Sequence, residues 1–100
     1  MHFAVIRRRG ANWDVSRPMR EQAGWPEHAA FMDALAEEGF VVLAGPLGDG
    51  TTLHQALLIF DADSEDAIHA RLAHDPWTPA QMLTTELIAP WKILIGDPAP

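Results

Sequence analysis

Apolar and polar positions alternate with a period of two from the start of the chain. Phe3, Val5 and Arg7 fall on one face and Ala4 and Ile6 on the other, which predicts a strand over residues 2–8. Residues 10–24 form a long connection that carries Gly10, Asn12, Pro18 and Gly24, yet also Trp13, Val15 and Met19. A connection of this length is more often functional or packed than idle. Pro26 opens a helix, because a missing N–H costs nothing in the first turn, and Glu27 beside it suits the positive helix end. Phe31, Met32 and Leu35 continue an apolar helical stripe, and Gly39 is placed to end it as a left-handed C′ residue.

Residues 40–44 are a continuous apolar strand ended by Gly45-Pro46. Leu47-Gly48-Asp49-Gly50 predicts a turn, and residues 52–60 a third strand beginning at Thr52. Asp63-Ser64-Glu65-Asp66 is a helix start, with a capping residue followed by acids. That helix carries Ile68 and Leu72 and ends near His74, since Pro76 disfavours helical geometry at Asp75. Thr78-Pro79-Ala80-Gln81 offers one further turn. Residues 85–95 form the last strand, and Pro90 within it requires an edge position or a bulge.

The resulting order, strand-helix-strand-strand-helix-strand, is the split βαβ pattern of an α+β, ferredoxin-like subunit. It predicts an antiparallel four-stranded sheet with the first and third strands central and the last at an edge. Two helices cover only one face of such a sheet. The third strand is nevertheless apolar on both faces, with Ala56, Leu58 and Phe60 on one and Leu57 and Ile59 on the other. The uncovered face predicts a homodimer packed sheet to sheet.

One hundred residues fit one domain, taken as 1–100. A net charge of −7 sets the chain against nucleic acid as a partner. Five of the seven Lys and Arg positions, Arg7, Arg8, Arg9, Arg17 and Arg20, fall in the first twenty residues. They form an anion-binding mouth or a solvated strand end and loop. The absence of cysteine excludes disulfides, thiolate metal sites and a cysteine nucleophile. No apolar run approaches the ~20 residues that span a bilayer, and the first residues are too short for a secretory segment. No membrane partner and a cytoplasmic location are expected. His69 and His74 stand five apart, which does not share a helix face. His2 and His54 would neighbour each other on adjacent central strands. With no HExxH, no metal is expected. Gly45, Gly48 and Gly50 lack the Lys-Ser/Thr of a phosphate loop, and no cofactor is expected.

The chemistry lies in two short motifs, Trp25-Pro26-Glu27-His28 and His74-Asp75-Pro76-Trp77. If His28 and Asp75 meet, they form a proton-transfer dyad in which Asp75 fixes the imidazole tautomer. The helix dipole disfavours an imidazolium at His28, whereas Asp75 favours it. A reaction that needs only proton movement, isomerisation or elimination of a small leaving group, suits this equipment. The same residues also admit a structural role, because His28 shares the stripe of Phe31, Met32 and Leu35 and would then bond Asp75 within a packed core. Trp77 and Trp13 are pocket walls for a planar ligand or core tryptophans. Arg20 binds a substrate carboxylate or pairs with Glu21 or Asp14.

Taken together, His28 early in the first helix, Gly45-Pro46 after the second strand, a Ser/Glu-initiated second helix, Asp75-Pro76-Trp77 after it and Pro90-Trp91 in the last strand resemble the YCII-related (YciI-like) proteins over residues 3–95. The resemblance implies a ferredoxin-like subunit that pairs into a dimeric α+β barrel. It also implies a small pocket between sheet and helices with a His–Asp pair at its base, mapping onto His28 and Asp75. Most members have no assigned reaction. One relative is a dehydrochlorinase acting on a chlorinated hydroquinone, and the wider superfamily includes muconolactone isomerases. The implied function is a cofactor-independent lyase or isomerase. Gly45 and Pro46 would shape the pocket's backbone wall, and Trp77 and Trp13 would pack on a small planar or anionic molecule. A non-catalytic dimer that binds a small ligand or serves interaction is the alternative. The long Trp13 loop departs from the shorter members.

Overall fold

The computed structural model describes residues 1–48 and 53–96. Strand β1 (His2–Arg9) leads through a 3₁₀ turn (Met19–Glu21) to helix α1 (Trp25–Glu37). Strands β2 (Val41–Pro46) and β3 (Gln55–Asp61), helix α2 (Glu65–Leu72) and strand β4 (Leu83–Pro90) follow. The sheet order is β2-β3-β1-β4, every pair antiparallel, which is the ferredoxin-like α+β arrangement with β1 and β3 central. The turn positions Asp49 and Gly50 and the strand start at Thr52 lie outside the described residues.

The local signals act as their chemistry requires. Gly39 takes φ 79°, its N–H bonds the Ala36 carbonyl and the Phe40 N–H reaches back to Leu35, closing α1 with a Schellman motif. The Ser64 hydroxyl accepts the Ala67 N–H at the start of α2.

Three boundaries differ from the sequence expectation. Strand β2 continues through Gly45-Pro46, with Pro46 opposite Ala56. It is an outer strand, where a missing N–H is tolerated. Strand β3 starts at Gln55, because His54 adopts φ 57°, which an extended strand cannot include. Strand β4 runs two residues earlier and ends at Pro90 rather than continuing to 95. Leu87 faces Ile6 while Thr85 faces Arg7, so Glu86 is an extra residue in the edge strand. Residues 78–81 form turns rather than a helix, with the Thr78 N–H on Asp75 and the Gln81 N–H on Thr78.

The main core lies between the helices and one sheet face. Phe3, Val5, Leu58 and Phe60 pack there with Leu35, Ile68 and Leu72. Arg7 continues the row of Phe3 and Val5 and is buried with them. Trp13, Trp77 and Met82 form a second cluster, with Trp25 and Leu83 against it. On the other sheet face, register aligns Ala4 and Ile6 with Ile59 and Leu57 on one side and with Ala89 and Leu87 on the other. Leu43, opposite Ile59, is 58% exposed and Leu87 48%. Among the described residues no helix is long and apolar enough to cross a membrane.

Candidate functional site

Helix α1 begins directly after Gly24, which holds φ 80°. A Cβ at that position would stand 3.1 Å from the Trp77 indole nitrogen, so both the backbone angle and the close approach call for glycine. His28 follows as the fourth helical residue and is buried. From the other side of the site, α2 ends at Leu72, and the Asp75 N–H turns back onto the Leu72 carbonyl. The Asp75 carboxylate then accepts the Trp77 N–H on Oδ1 at 3.0 Å, an Asx turn that fixes its direction.

These two turns bring His28 and Asp75 together. Nδ1 of His28 lies 2.9 Å from each oxygen of Asp75. A third residue joins them. Arg7 donates from Nη1 to Oδ2 of Asp75 at 2.8 Å and from Nη2 to the Thr78 hydroxyl at 2.8 Å. That hydroxyl in turn donates to the Leu72 carbonyl at 2.7 Å.

Burial by itself raises the Asp75 pKa. The His28 hydrogen bond, the Trp77 N–H and the charges of His28 and Arg7 outweigh it and hold the carboxyl below its usual range. Burial lowers the Arg7 pKa while Asp75 opposes that shift, and the guanidinium stays charged. An ionised carboxylate only accepts hydrogen bonds, so Nδ1 of His28 carries the proton and donates it to Asp75. Among the described residues no hydrogen bond engages Nε2, the ring nitrogen left for a bound molecule. This arrangement can take a proton from a bound molecule and return it.

A cavity of about 290 Å³ adjoins the pair. Arg7, Trp13, His28, Pro46, His54 and Trp77 are among its walls. Trp13 meets Trp77 edge-on, with centroids 5.3 Å apart, and the Arg9 guanidinium lies over the Trp13 ring. Arg9 also bonds Nδ1 of His54 at the rim. The loop that carries Trp13 is built rather than slack. The Gln22 amide accepts the Asp14 N–H and donates to the Asp14 and Arg17 carbonyls, and the Trp77 indole donates to the Ala23 carbonyl. A larger depression of about 610 Å³ lies at Met1, His2, Trp91 and Lys92, and brings no carboxylate to a histidine.

Of the residues singled out from sequence, His28 and Asp75 meet, and Trp77, Trp13 and Pro46 line the cavity. Gly45 lies in β2 next to Pro46 and is not among the lining residues. Arg20 sits exposed in the 3₁₀ turn, also outside the lining, and Asp14 pairs with Arg17 instead. The arginines at the cavity are Arg7 and Arg9. His2 and His54 are not neighbours: His2 pairs with Asp61, whereas the His54 carbonyl accepts the Arg9 N–H at the far end of β1. Among the described residues no group of three or more His, Cys, Asp or Glu is placed to hold a metal ion. The sequence placed Arg7 among the arginines of an anion-binding mouth or a solvated strand end and did not join it to His28 and Asp75, which the fold does. The signal for Arg7 was the period of two, which put a charge on the inward face after Phe3 and Val5, where it must find a partner.

The YCII-related domain family matches residues 1–92, and the chain belongs to that family. No curated protein sequence matches it. Among solved structures the chain is similar to the 5-chloro-2-hydroxyhydroquinone dehydrochlorinase of Burkholderia phenoliruptrix AC1100, determined in complex with 2,5-dihydroxybenzoquinone. The two are 24% identical, with 92% of this chain and 94% of that chain covered and a TM-score of 0.67. At this identity the likeness establishes a shared fold.

Proposed function

We propose that this chain is a cofactor-independent small-molecule enzyme of lyase or isomerase type, with His28 as the proton-transfer group and Asp75 as its orienter. The observation that carries the reading is the placement of His28 Nδ1 on both Asp75 oxygens at 2.9 Å, beside a cavity that His28 lines. In an elimination, Nε2 takes a proton from carbon, and the electron pair of that C–H bond forms the new double bond as the leaving group departs with its own pair. In an isomerisation the same nitrogen returns the proton to a second carbon. Trp13 and Trp77 supply flat apolar walls suited to a planar ring, and Pro46 closes the side formed by β2. The name of the similar solved structure, a dehydrochlorinase holding a quinone, supports the same class of reaction and ligand.

The reading includes a homodimer joined through the open sheet face. Ala4, Ile6, Leu43, Leu57 and Leu87 give that face an apolar character that a second copy would cover.

The test combines two measurements. One is chloride release from 5-chloro-2-hydroxyhydroquinone; the other is solvent-deuterium incorporation into small hydroquinones, quinones and ring ketones. His28→Gln lowers the rate about 10²- to 10⁴-fold with the fold retained. A His28→Gln protein as active as the parent removes His28 from the chemistry.

A further inference from the structure

We infer that Arg7 is a positioning residue for this site: its guanidinium balances the Asp75 carboxylate, so that His28 meets the cavity as an uncharged Nδ1–H imidazole. This rests on the reading of His28 as the base and goes beyond it, because it assigns the setting of that base to a third residue.

The geometry is one of shared atoms. Oδ2 of Asp75 lies 2.8 Å from Arg7 Nη1 and 2.9 Å from His28 Nδ1. Arg7 is 1% exposed and Asp75 fully buried, so both charges are held away from water. Buried charges are tolerated when they are paired and costly when one stands alone. With Arg7 cationic and Asp75 anionic, the group of three is neutral only while His28 is uncharged. Protonating His28 leaves a net positive charge in the interior. Without Arg7 the balance reverses, and Asp75 then calls for an imidazolium.

The other groups facing His28 do not replace Arg7 in this role. From α1 itself come the positive helix end and the exposed Glu27. From β1 and the segment before β3 come Arg9 and His54, across the cavity at its rim. The connection after α2 contributes Asp75 and the neutral Trp77, and the loop after β1 contributes the neutral Trp13 and Met19. Among the charged side chains of the described residues, Arg7 alone shares a carboxylate oxygen with His28; the Trp77 N–H, which shares the other, carries no charge. Its fork also spans to the Thr78 hydroxyl, which ties the charge balance to the turn that carries Asp75.

The experiment is ring ¹⁵N NMR of histidine-labelled protein across a pH series, with His28 assigned by its loss in His28→Gln. In the parent at pH 7.5 the His28 ring shows the uncharged Nδ1–H tautomer. In Arg7→Gln the midpoint of His28 protonation rises by about one pH unit or more, a roughly tenfold gain in proton affinity. Arg7→Lys, which keeps the charge, leaves the ring uncharged at pH 7.5. An unchanged midpoint in Arg7→Gln overturns the inference. Should Arg7→Gln not fold, the parent and Arg7→Lys decide: an imidazolium or an Nε2–H tautomer in either overturns it. These spectra need no turnover. If His28→Gln keeps full activity while Arg7→Gln still moves the His28 midpoint, the base reading fails and the charge balance stands.

Discussion

The indole of Trp77 lies parallel on the imidazole of His28, with 4.0 Å between ring centroids and 9° between their planes. The same residue bonds Asp75 through its backbone N–H and the Ala23 carbonyl through its indole. Trp77 therefore fixes the plane of the histidine, the direction of its carboxylate partner and the end of the Trp13 loop at once. An aromatic stack contributes about 0.5–1.5 kcal/mol beyond burial. Its larger effect is orientational: with the ring plane set and Nδ1 committed to Asp75, the remaining nitrogen is Nε2.

Replacing Asp75 by Asn strands Arg7 as an uncompensated buried cation. The loss of stability is about 3–5 kcal/mol, the range for breaking a buried ion pair from one side. Urea denaturation of the two proteins measures it, and a change below about 1 kcal/mol would show that the Arg7–Asp75 contact does not hold the fold.

The pH dependence has a defined sign. In the folded chain Asp75 sits below the usual carboxylate range. Its contribution is fully present above the unfolded value of about 3.9. It is lost as pH falls through the lower folded value. Denaturation midpoints measured from neutral pH downward therefore fall in that acid window, and Asp75→Asn removes this part of the slope. Parallel curves for the two proteins would count against the assignment.

His28→Gln separates chemistry from packing. A catalytic histidine loses rate and little stability when replaced, since glutamine still offers Asp75 a donor. The expected change in unfolding free energy is within about 1–2 kcal/mol. A collapse in stability comparable to that of Asp75→Asn, with no change in any rate, would make His28 a core residue.

Gln22 holds the Trp13 loop through three hydrogen bonds of its buried amide, at 2.9, 2.7 and 2.8 Å. Gln22→Ala costs about 1–3 kcal/mol. It also raises hydrogen exchange in residues 13–22 and weakens binding of 2,5-dihydroxybenzoquinone measured by calorimetry. Unaltered exchange in that loop would show that its order comes from Trp13 packing alone.

Sedimentation velocity tests the open sheet face. The parent sediments as a dimer, and the double variant Leu43→Glu with Leu87→Glu sediments as a folded monomer, because both side chains are exposed on the protomer and a charge there opposes only the association. A parent that is monomeric at tens of micromolar contradicts the proposed pairing.

Much of this molecule is local and was legible in the sequence. Ser64 caps α2 and Gly39 stops α1 because each satisfies backbone groups within a few residues of itself. The inward row of Phe3, Val5 and Arg7 follows from the period of two along β1. Other features depend on neighbours far away in the chain. That β2 runs on through Pro46 follows from its place at the edge of the sheet, which only the strand order sets. The sequence marked a cluster of arginines near the start of the chain, but only the fold placed Arg7 on Asp75 and left Arg20 outside the cavity. His28 and Asp75 stand 47 residues apart, and their contact exists because a helix start and a helix end converge on one buried arginine. Propensity and periodicity act over a few residues, so they determine elements and faces. Which charge meets which partner is decided by packing, where burial forces each polar group to find its complement.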